Sequence, residues 1–263
     1  MKHKQLLGIL MLIIVPVIIN LYCLPWDIDE SDAARTGLID NLYIIKTFLN
    51  PKAIIRGNDD QDKLVALTID DGPDPRYTPQ ILNILQQYHI KATFFVVGEN
   101  IKKHPNLLIR AIWEGNEIEN HTFSHPNLRM KSVSQTEEEI IRNQELILSY
   151  THRRPQYFRP PKGLLKKETI GLCESYGYRV VLWTICVEHT ASKTPQVMAA
   201  RVVKAASPDI IILAHDGRLD RSKTVKALPL VIEGYKKKGY RFVTLDEMFK
   251  QKKYQGELAL QKP

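Results

Sequence analysis

The sequence predicts an α/β fold built on a parallel sheet, and three observations support this prediction. Short apolar runs typical of strands alternate with longer segments of helical periodicity. Glycines follow three of the helical segments, where helices commonly end. Polar residues stand directly after several of the strand-like runs. The number of units suits a (β/α) barrel, although periodicity alone does not separate a closed barrel from an open doubly wound sheet.

The predicted elements follow one another regularly between residues 64 and 245. The strand-like runs are Leu64–Ile69, Ala92–Val97, Glu117–Glu119, Tyr157–Phe158, Arg179–Trp183, Ile210–Ala214 and Arg241–Leu245. The helical segments are Pro79–Tyr88, Pro105–Glu114, Thr136–Tyr150, Lys166–Tyr176, Pro195–Ala206 and Thr224–Lys238. Ser134 and Glu137 are typical of a capping box at the start of the third helix, and Gly115, Gly177 and Gly239 of helix ends.

Length and composition indicate one globular domain. The chain has 263 residues, of which 44% are hydrophobic and 25% charged. We assign the domain to residues 63–250, long enough to bury a core unaided, and a C-terminal tail to 251–263. Without residues 1–24, whose only formal charges are Lys2 and Lys4, the chain has 35 Lys+Arg against 29 Asp+Glu, and this net charge of about +6 suits an anionic cell envelope. Nucleic acid is not predicted as a partner, because the basic residues form short clusters without interleaved aromatic residues.

The first 24 residues are typical of a membrane anchor. Lys2 and Lys4 precede an apolar stretch without charged residues that runs to Leu24, long enough to span a bilayer. The basic flank predicts a single-pass helix with its N-terminus in the cytoplasm and the domain on the extracellular side. A cleaved signal peptide is disfavoured because no small-x-small cleavage site follows. Residues 25–62 are then a stalk or linker.

Cysteine usage does not indicate a disulfide scaffold. Of the three cysteines, Cys23 lies at the predicted membrane, so Cys173 and Cys186 are the only two that could form a disulfide within the domain. Their spacing does not show that they meet. Two buried free thiols are the prediction, because disulfide-dependent exported domains are richer in cysteine.

Candidate chemistry begins at Asp70 and Asp71, two adjacent carboxylates at the end of a strand-like run. Like charges this close repel unless a cation compensates them, so one carboxylate could hold a metal while the other acts as a base. An ordinary solvated turn is the alternative reading of Asp-Gly-Pro. His121 and His125 are four residues apart, which predicts that both imidazoles lie on one side of a helical turn and reach one Zn²⁺. With Asp71 they make three protein ligands and leave a coordination position open, as in catalytic zinc sites.

Two further motifs complete a recognisable series. Arg159-Pro160-Pro161 follows one strand-like run, and Leu213-Ala214-His215-Asp216 closes another. With the Asp70-Asp71 and His121–His125 motifs, in this order, the chain from Lys63 to Phe249 resembles the polysaccharide deacetylase family, also called the NodB-homology or carbohydrate esterase 4 domain. The resemblance implies a distorted, incomplete (β/α) barrel of about seven strands.

The resemblance also implies a role for each matching residue. Asp70 corresponds to the catalytic base, Arg159 to the cation that orients it, and His215 to the general acid. Asp71, His121 and His125 correspond to the ligands of Zn²⁺ or of another divalent metal such as Co²⁺ or Ni²⁺. Four positions correspond to the substrate pocket and the site that stabilises the oxyanion: Pro161, the backbone N–H of Lys162, Trp183 and Leu213.

Two positions depart from the family pattern. Lys162 stands where family members commonly carry Tyr, a change that a backbone donor tolerates. The family usually has Asp six residues after the Trp, but His189 occupies that position here. Either Glu188 replaces the missing carboxylate with a one-residue shift, or Glu188 is a solvated loop residue. In the second case His215 lacks its partner and has a lower pKa.

The implied activity is hydrolysis of N-acetyl groups on a glycan, with release of acetate. Peptidoglycan N-acetylglucosamine or N-acetylmuramic acid is the first choice of substrate because the domain is predicted to face the cell wall, and chitooligosaccharides are the second. A catalytically impaired glycan-binding or wall-scaffolding protein is an alternative, as is hydrolysis of another acyl or C–N bond by the same metal site. We expect a monomer.

Overall fold

The computed structural model describes residues 54–55, 63–164, 166–189 and 192–250. The predicted anchor over 1–24, most of the predicted stalk over 25–62 and the tail over 251–263 lie outside this part of the chain. None of the helices formed by the described residues is both long and apolar enough to cross a membrane.

The described residues form parallel strands and helices that alternate along the chain. The strands are β1 (Ile54–Ile55), β2 (Leu64–Asp70), β3 (Thr93–Val96), β4 (Glu117–Asn120), β5 (Tyr157–Phe158), β6 (Arg179–Val181), β7 (Ile185–Cys186), β8 (Ile210–His215) and β9 (Arg241–Val243). The helices are α1 (Thr78–Gln87), α2 (Gly98–Lys103), α3 (Pro105–Trp113), α4 (Val133–Thr151), α5 (Lys167–Ser175), α6 (Pro195–Lys204) and α7 (Ser222–Lys237). Residues 245–250 are also helical.

The sheet is an open, incomplete barrel of parallel strands, which confirms the α/β class and the parallel sheet. Its order is β1-β6-β5-β4-β3-β2-β8-β7, with β9 paired to β2. Each of the seven predicted strands is present, and β1 and β7 are additional two-residue strands. The end strands β1 and β7 are not paired with each other, so the described sheet does not close.

The predicted helices are all present, but the predicted capping box is wrong. Helix α4 begins at Val133, and its box is formed by Ser132 and Gln135 rather than by Ser134 and Glu137. The Gln135 N–H donates to Ser132 Oγ at 3.2 Å, and the Ser132 N–H donates to Gln135 Oε1 at 3.0 Å. Two overlapping Ser-x-x-Gln/Glu patterns two residues apart explain the error, since the sequence alone does not choose between them.

Strand β2 shows how the fold positions polar groups inside the barrel. Val65, Leu67 and Ile69 pack in the large core cluster beneath the helices, whereas Leu64 and Ala66 pack in a second cluster with Phe95 and Ile211. Side chains of a strand alternate between two faces, so Thr68 and Asp70 continue the second face. The carboxyl end of β2 therefore directs a buried carboxylate into the barrel.

Candidate active site

A buried ion pair stands at the centre of the site. Asp70 is the last residue of β2 and is paired in register with His215 at the end of β8. Arg159, just after β5, donates from Nη1 to Asp70 Oδ1 at 2.7 Å. Both residues are buried, so the guanidinium offsets a negative charge that water does not reach.

The Arg159 guanidinium is held on every side. Nη1 also donates to Thr68 Oγ1 at 2.8 Å. Nε donates to the Val181 carbonyl at 3.1 Å and Nη2 to the Leu182 carbonyl at 3.0 Å. The guanidinium carbon lies 4.1 Å from the centroid of the Phe95 ring. This rigid fork fixes the Asp70 carboxylate in one orientation.

Asp71 is turned away from Asp70 by a left-handed backbone. Its φ is 81°, and its carbonyl accepts from Asn100 Nδ2 at 2.7 Å. Gly217 packs against the same carbonyl, because a Cβ at this position would lie 2.8 Å from the Asp71 oxygen. The two adjacent carboxylates therefore have different surroundings, as a division into base and metal ligand requires.

The two predicted histidine ligands converge, but not by the predicted route. Residues 121–127 are not helical, and Thr122 and His125 have φ values of 69° and 56°. The prediction of a helical turn is therefore wrong. Glu139 of α4 holds the loop by accepting from the Ser124 N–H at 2.8 Å and the Ser124 hydroxyl at 2.6 Å. This loop brings the two imidazole rings to within 4.9 Å of each other.

Asp71, His121 and His125 form a set of donors that fits a metal ion. Asp71 Oδ1 lies 3.1 Å from His125 Nε2 and 3.6 Å from His121 Nε2. This oxygen is buried without a hydrogen bond of good geometry among the described residues. His121 Nδ1 lies 2.7 Å from the Arg159 carbonyl oxygen, which can only accept a hydrogen bond. The ring proton is therefore on Nδ1, and the lone pair of Nε2 is directed at Asp71. One carboxylate and two imidazoles are the ligands of open catalytic zinc sites.

Electrostatics favours the metal-binding forms of Asp71 and His125. Burial raises the pKa of Asp71, but the neighbouring imidazoles of His121, His125 and His215 outweigh burial and hold it well below its usual range. Burial is also the main influence on His125 and lowers its pKa, because the charged imidazolium is disfavoured there. At neutral pH the carboxylate is ionised and the His125 imidazole is neutral.

Glu188 reaches His215. Glu188 Oε2 lies 3.2 Å from His215 Nδ1, and Oε1 accepts from the His215 N–H at 3.2 Å and from Thr224 Oγ1 at 2.7 Å. Burial opposes a charge on His215, but the charge of Glu188 outweighs burial and raises the pKa of the imidazole. Burial likewise disfavours the Glu188 carboxylate, yet His215 lowers its pKa to about 2. Of the two readings of Glu188, the structure favours the carboxylate partner over the solvated loop residue.

Of the predicted pocket residues, Trp183 and Leu213 lie next to Cys186, which contacts Glu188, whereas Pro161 and Lys162 follow Arg159. Trp183 packs on Leu213 of β8 and on Cys186 at the end of β7. Pro161 is buried, and Lys162 turns the chain with φ 60° and ψ 10°. Gly163 lies against the Trp183 ring, since a Cβ there would come within 2.9 Å of it. The segment that follows Arg159 and the Trp183 ring are thus in contact and form adjoining walls of the predicted pocket.

Two buried residues near the site were not predicted. Arg221 donates from Nε to the Gly217 carbonyl at 2.8 Å, and its Nη2 lies 3.5 Å from Asp71 Oδ2. Asp216 accepts from Thr78 Oγ1 at 2.5 Å, and burial raises its pKa to about 7. Asp216 belongs to the His215 motif and could have been singled out by it. Nothing in the spacing of Arg221 marks it.

Fold and site together define an incomplete parallel barrel of the hydrolase type, in which side chains that could hold a metal ion adjoin a buried carboxylate–guanidinium pair. A sequence model of a protein family, described as polysaccharide deacetylase, matches residues 57–181 of this chain. A peptidoglycan-N-acetylglucosamine deacetylase of Bacillus cereus is 38% identical over 193 residues, which cover 73% of this chain and 90% of the relative. The chain belongs to the polysaccharide deacetylase family.

Solved structures extend this likeness past the matched residues. A crystal structure of a peptidoglycan N-acetylglucosamine deacetylase in complex with 4-naphthalen-1-yl-N-oxidanyl-benzamide has a TM-score of 0.73 and 33% identity, covering 77% of this chain and 95% of its own. A family pseudoenzyme from Bacillus anthracis has a TM-score of 0.69 and 27% identity, covering 75% of this chain and 69% of its own. The family thus contains members that differ in activity on one fold.

Proposed function

We propose that this protein is a metal-dependent N-deacetylase of peptidoglycan that removes acetyl groups from N-acetylglucosamine. The observation that carries the proposal is the contact between Glu188 and His215, which supplies the acid half of the site opposite Asp70. The substrate class is supported by the Bacillus cereus relative, which is a peptidoglycan-N-acetylglucosamine deacetylase.

Asp71, His121 and His125 would hold the metal, for which Zn²⁺ is our first choice and Co²⁺ or Ni²⁺ the alternatives. When bound, a divalent ion polarises the acetyl carbonyl and lowers the pKa of water. The roles of the surrounding residues follow from their positions. The Arg159 carbonyl fixes the His121 tautomer, and the Arg159 side chain fixes Asp70.

Amide hydrolysis needs a base for the attacking water and an acid for the departing amine. We assign the base to Asp70, whose Oδ2 lies 3.8 Å from His121 Nε2 and so borders the triad. The backbone N–H of Lys162 donates to the oxygen of the tetrahedral intermediate. His215, charged and held by Glu188, gives its Nε2 proton to the amine. Trp183 and Leu213 enclose the acetyl methyl group.

Acetate release from purified peptidoglycan, with Zn²⁺ supplied, tests this proposal. Asp70→Asn removes the base without changing its shape and should lower kcat by about 10²–10⁴-fold. His125→Ala should abolish turnover. Asp246→Asn is the matched control, because Asp246 contacts Arg153 and Lys250 away from the triad. Acetate release unchanged by Asp70→Asn would overturn the assignment.

The sugar is tested separately by mass spectrometry of muramidase digests. A free amine on glucosamine supports the first choice, and one on muramic acid reassigns the substrate within the wall. Acetate from chitooligosaccharides but not from peptidoglycan would favour the chitooligosaccharide alternative.

A glycan-binding role without turnover is a second candidate function, because a pseudoenzyme shares this fold. Tight binding of peptidoglycan by the metal-loaded protein, with no acetate from any of these polymers, would establish it. The Glu188–His215 contact favours the active enzyme over this alternative.

We also propose that residues 1–24 anchor the protein in the cell membrane with the catalytic domain outside. An enzyme that acts on the wall must face it, and Lys2 and Lys4 favour this orientation. Full-length protein should sediment with membranes and be cleaved by protease added to intact protoplasts. A chain lacking residues 1–24 but carrying an export signal should appear in the medium.

A further inference from the structure

A second group of metal-binding side chains adjoins the proposed acid. Cys186, Glu188 and His215, here called the thiol cluster, bring their donor atoms within 4.8 Å of one another. Cys186 Sγ lies 3.2 Å from Glu188 Oε2, and the same oxygen lies 3.2 Å from His215 Nδ1. Cys186 is buried at the end of β7.

We propose that the thiol cluster is a second, inhibitory metal site that takes thiophilic divalent ions such as Zn²⁺. Tetrahedral zinc with ordinary bond lengths separates an oxygen from a nitrogen ligand by about 3.3–3.5 Å and a sulfur from either by about 3.5–3.7 Å. The measured separations at Glu188 Oε2 are close to these values. An ion can therefore replace the two hydrogen bonds of this oxygen with little movement of the side chains.

The surroundings of the thiol cluster allow entry but limit affinity. The side chains of His215 and Glu188 remain 18% and 15% exposed, so an ion can reach them from solvent. Arg201 donates from Nη2 to the carbonyls of Cys186 and Val187, which places a positive charge near the thiol cluster. This charge repels a bound cation. Binding also displaces the proton of the thiol. We therefore expect the Asp71–His121–His125 triad to fill first and the thiol cluster only in metal excess.

Occupancy of the thiol cluster blocks the proposed acid step. His215 Nδ1 lies on Glu188, and its Nε2 is the atom left for the substrate. A metal bound to the Nδ1 lone pair leaves a neutral ring with one proton on Nε2. Such a ring has no free lone pair to accept a second proton, so the imidazolium that protonates the amine does not form. Excess metal should lower turnover without displacing the catalytic ion.

Cobalt titration of the metal-free full-length protein tests the site directly. Thiolate ligation of Co²⁺ gives a near-ultraviolet sulfur-to-metal charge-transfer band that carboxylate and imidazole ligands do not give. We expect no such band for the first equivalent and its appearance with further Co²⁺. Cys186→Ser keeps a hydroxyl that can donate to Glu188 and should abolish the band. Cys173→Ser and Cys23→Ser are matched controls and should retain it.

Activity supplies a second readout, which rests on the proposed function. The Zn²⁺ concentration that inhibits acetate release should rise at least about tenfold in Cys186→Ser, since even changes outside the ligand set weaken metal sites by that factor. A charge-transfer band that persists in Cys186→Ser, or never appears in the unaltered protein, overturns the proposal. The cobalt spectrum does not depend on deacetylation, so failure of the proposed function leaves this test intact.

Discussion

Glu188 shows what residue spacing can and cannot decide. The sequence presents a carboxylate five residues after Trp183 instead of six, which leaves a partner of His215 and a solvated loop residue equally open. The structure favours the partner, because Glu188 contacts both the ring and the backbone N–H of His215. Residue spacing indicates which strand end a side chain follows. Which groups that side chain contacts depends on three-dimensional packing.

Glu188→Gln should move the alkaline limit of activity to lower pH. Burial lowers the pKa of His215, and the negative charge of Glu188 raises it above the ordinary value. Gln removes the charge but keeps the shape, so the pKa of His215 should fall. A general acid works only while protonated, and activity is lost as pH rises through that pKa. The measurement is the pH profile of kcat/KM.

Glu174→Gln is the control for this profile, because Glu174 is exposed on α5. An alkaline limb that stays in place in Glu188→Gln would show that Glu188 does not tune His215.

Arg159→Lys should be a costly substitution despite the conserved charge. The guanidinium bonds to Asp70, to Thr68 and to two backbone carbonyls, all in buried surroundings. A single ammonium cannot reach these four acceptors, and unsatisfied buried groups cost about 1–3 kcal/mol each. We expect the free energy of unfolding to fall by about 3–5 kcal/mol, as when buried ion pairs are broken.

Urea unfolding measures this loss, with exposed Arg154→Lys as the control. A change of less than about 0.5 kcal/mol in Arg159→Lys, as at ordinary surface positions, would contradict the packing argument.

At the scale of elements, the alternation of runs gives the order of strands and helices but not every boundary. Helix α2 was not predicted, because six residues are too few to show helical periodicity. Its first residue, Gly98, packs against Phe123 and Asn143, and such a contact between distant segments leaves no local pattern. The two residues of β7 were likewise hidden, since their pairing with β8 is tertiary.

The loop of residues 121–127 that carries the two histidines is also shaped by contacts between distant segments. The four-residue spacing of His121 and His125 was a correct guide to their convergence and a wrong guide to the backbone. Asn120 donates to the Ile140 carbonyl at 2.9 Å, and its Oδ1 accepts from the Thr122 N–H at 2.9 Å. The conformation of the loop therefore depends on contacts with α4, and a short sequence motif does not predict such contacts.

Ser132→Ala should destabilise the protein, and Ser134→Ala should not. Ser132 is the N-cap of α4, and its hydroxyl accepts from the Gln135 N–H. Loss of such a cap costs about 0.5–2 kcal/mol. Ser134 lies exposed inside the first turn, where we expect a change within about 0.5 kcal/mol. Chemical unfolding of both variants measures the difference, and equal losses would contradict the observed box.

At the scale of the whole molecule, parallel strand order explains how distant residues form one site. Residues 70 and 215 are far apart in sequence but are paired across β2 and β8. This convergence was predictable, because barrel sites assemble at the carboxyl ends of strands. The openness of the sheet was expected only from the family resemblance. It depends on which strands fail to pair, and periodicity carries no information about that.

Zn²⁺ should stabilise the metal-free protein as a whole, because an ion that binds the folded chain and not the unfolded chain shifts the folding equilibrium. At a free concentration of 100 times Kd the gain is about 2.7 kcal/mol. The folded state brings Asp71 Oδ1 and two imidazoles together, and the unfolded chain does not. Thermal unfolding with and without Zn²⁺ should show a higher Tm for the loaded protein.

The controls for this shift are two histidine variants. His125→Ala should lose most of the Zn²⁺-dependent rise in Tm, whereas His152→Asn, exposed at the end of α4, should keep it. The rise should also shrink as pH falls, because metal binding requires deprotonated ligands and competes with protons. Because burial lowers the pKa of His125, this ligand remains available below the ordinary pKa of histidine. An equal rise in Tm for His125→Ala and the unaltered protein would mean that the stabilising ion binds outside the triad.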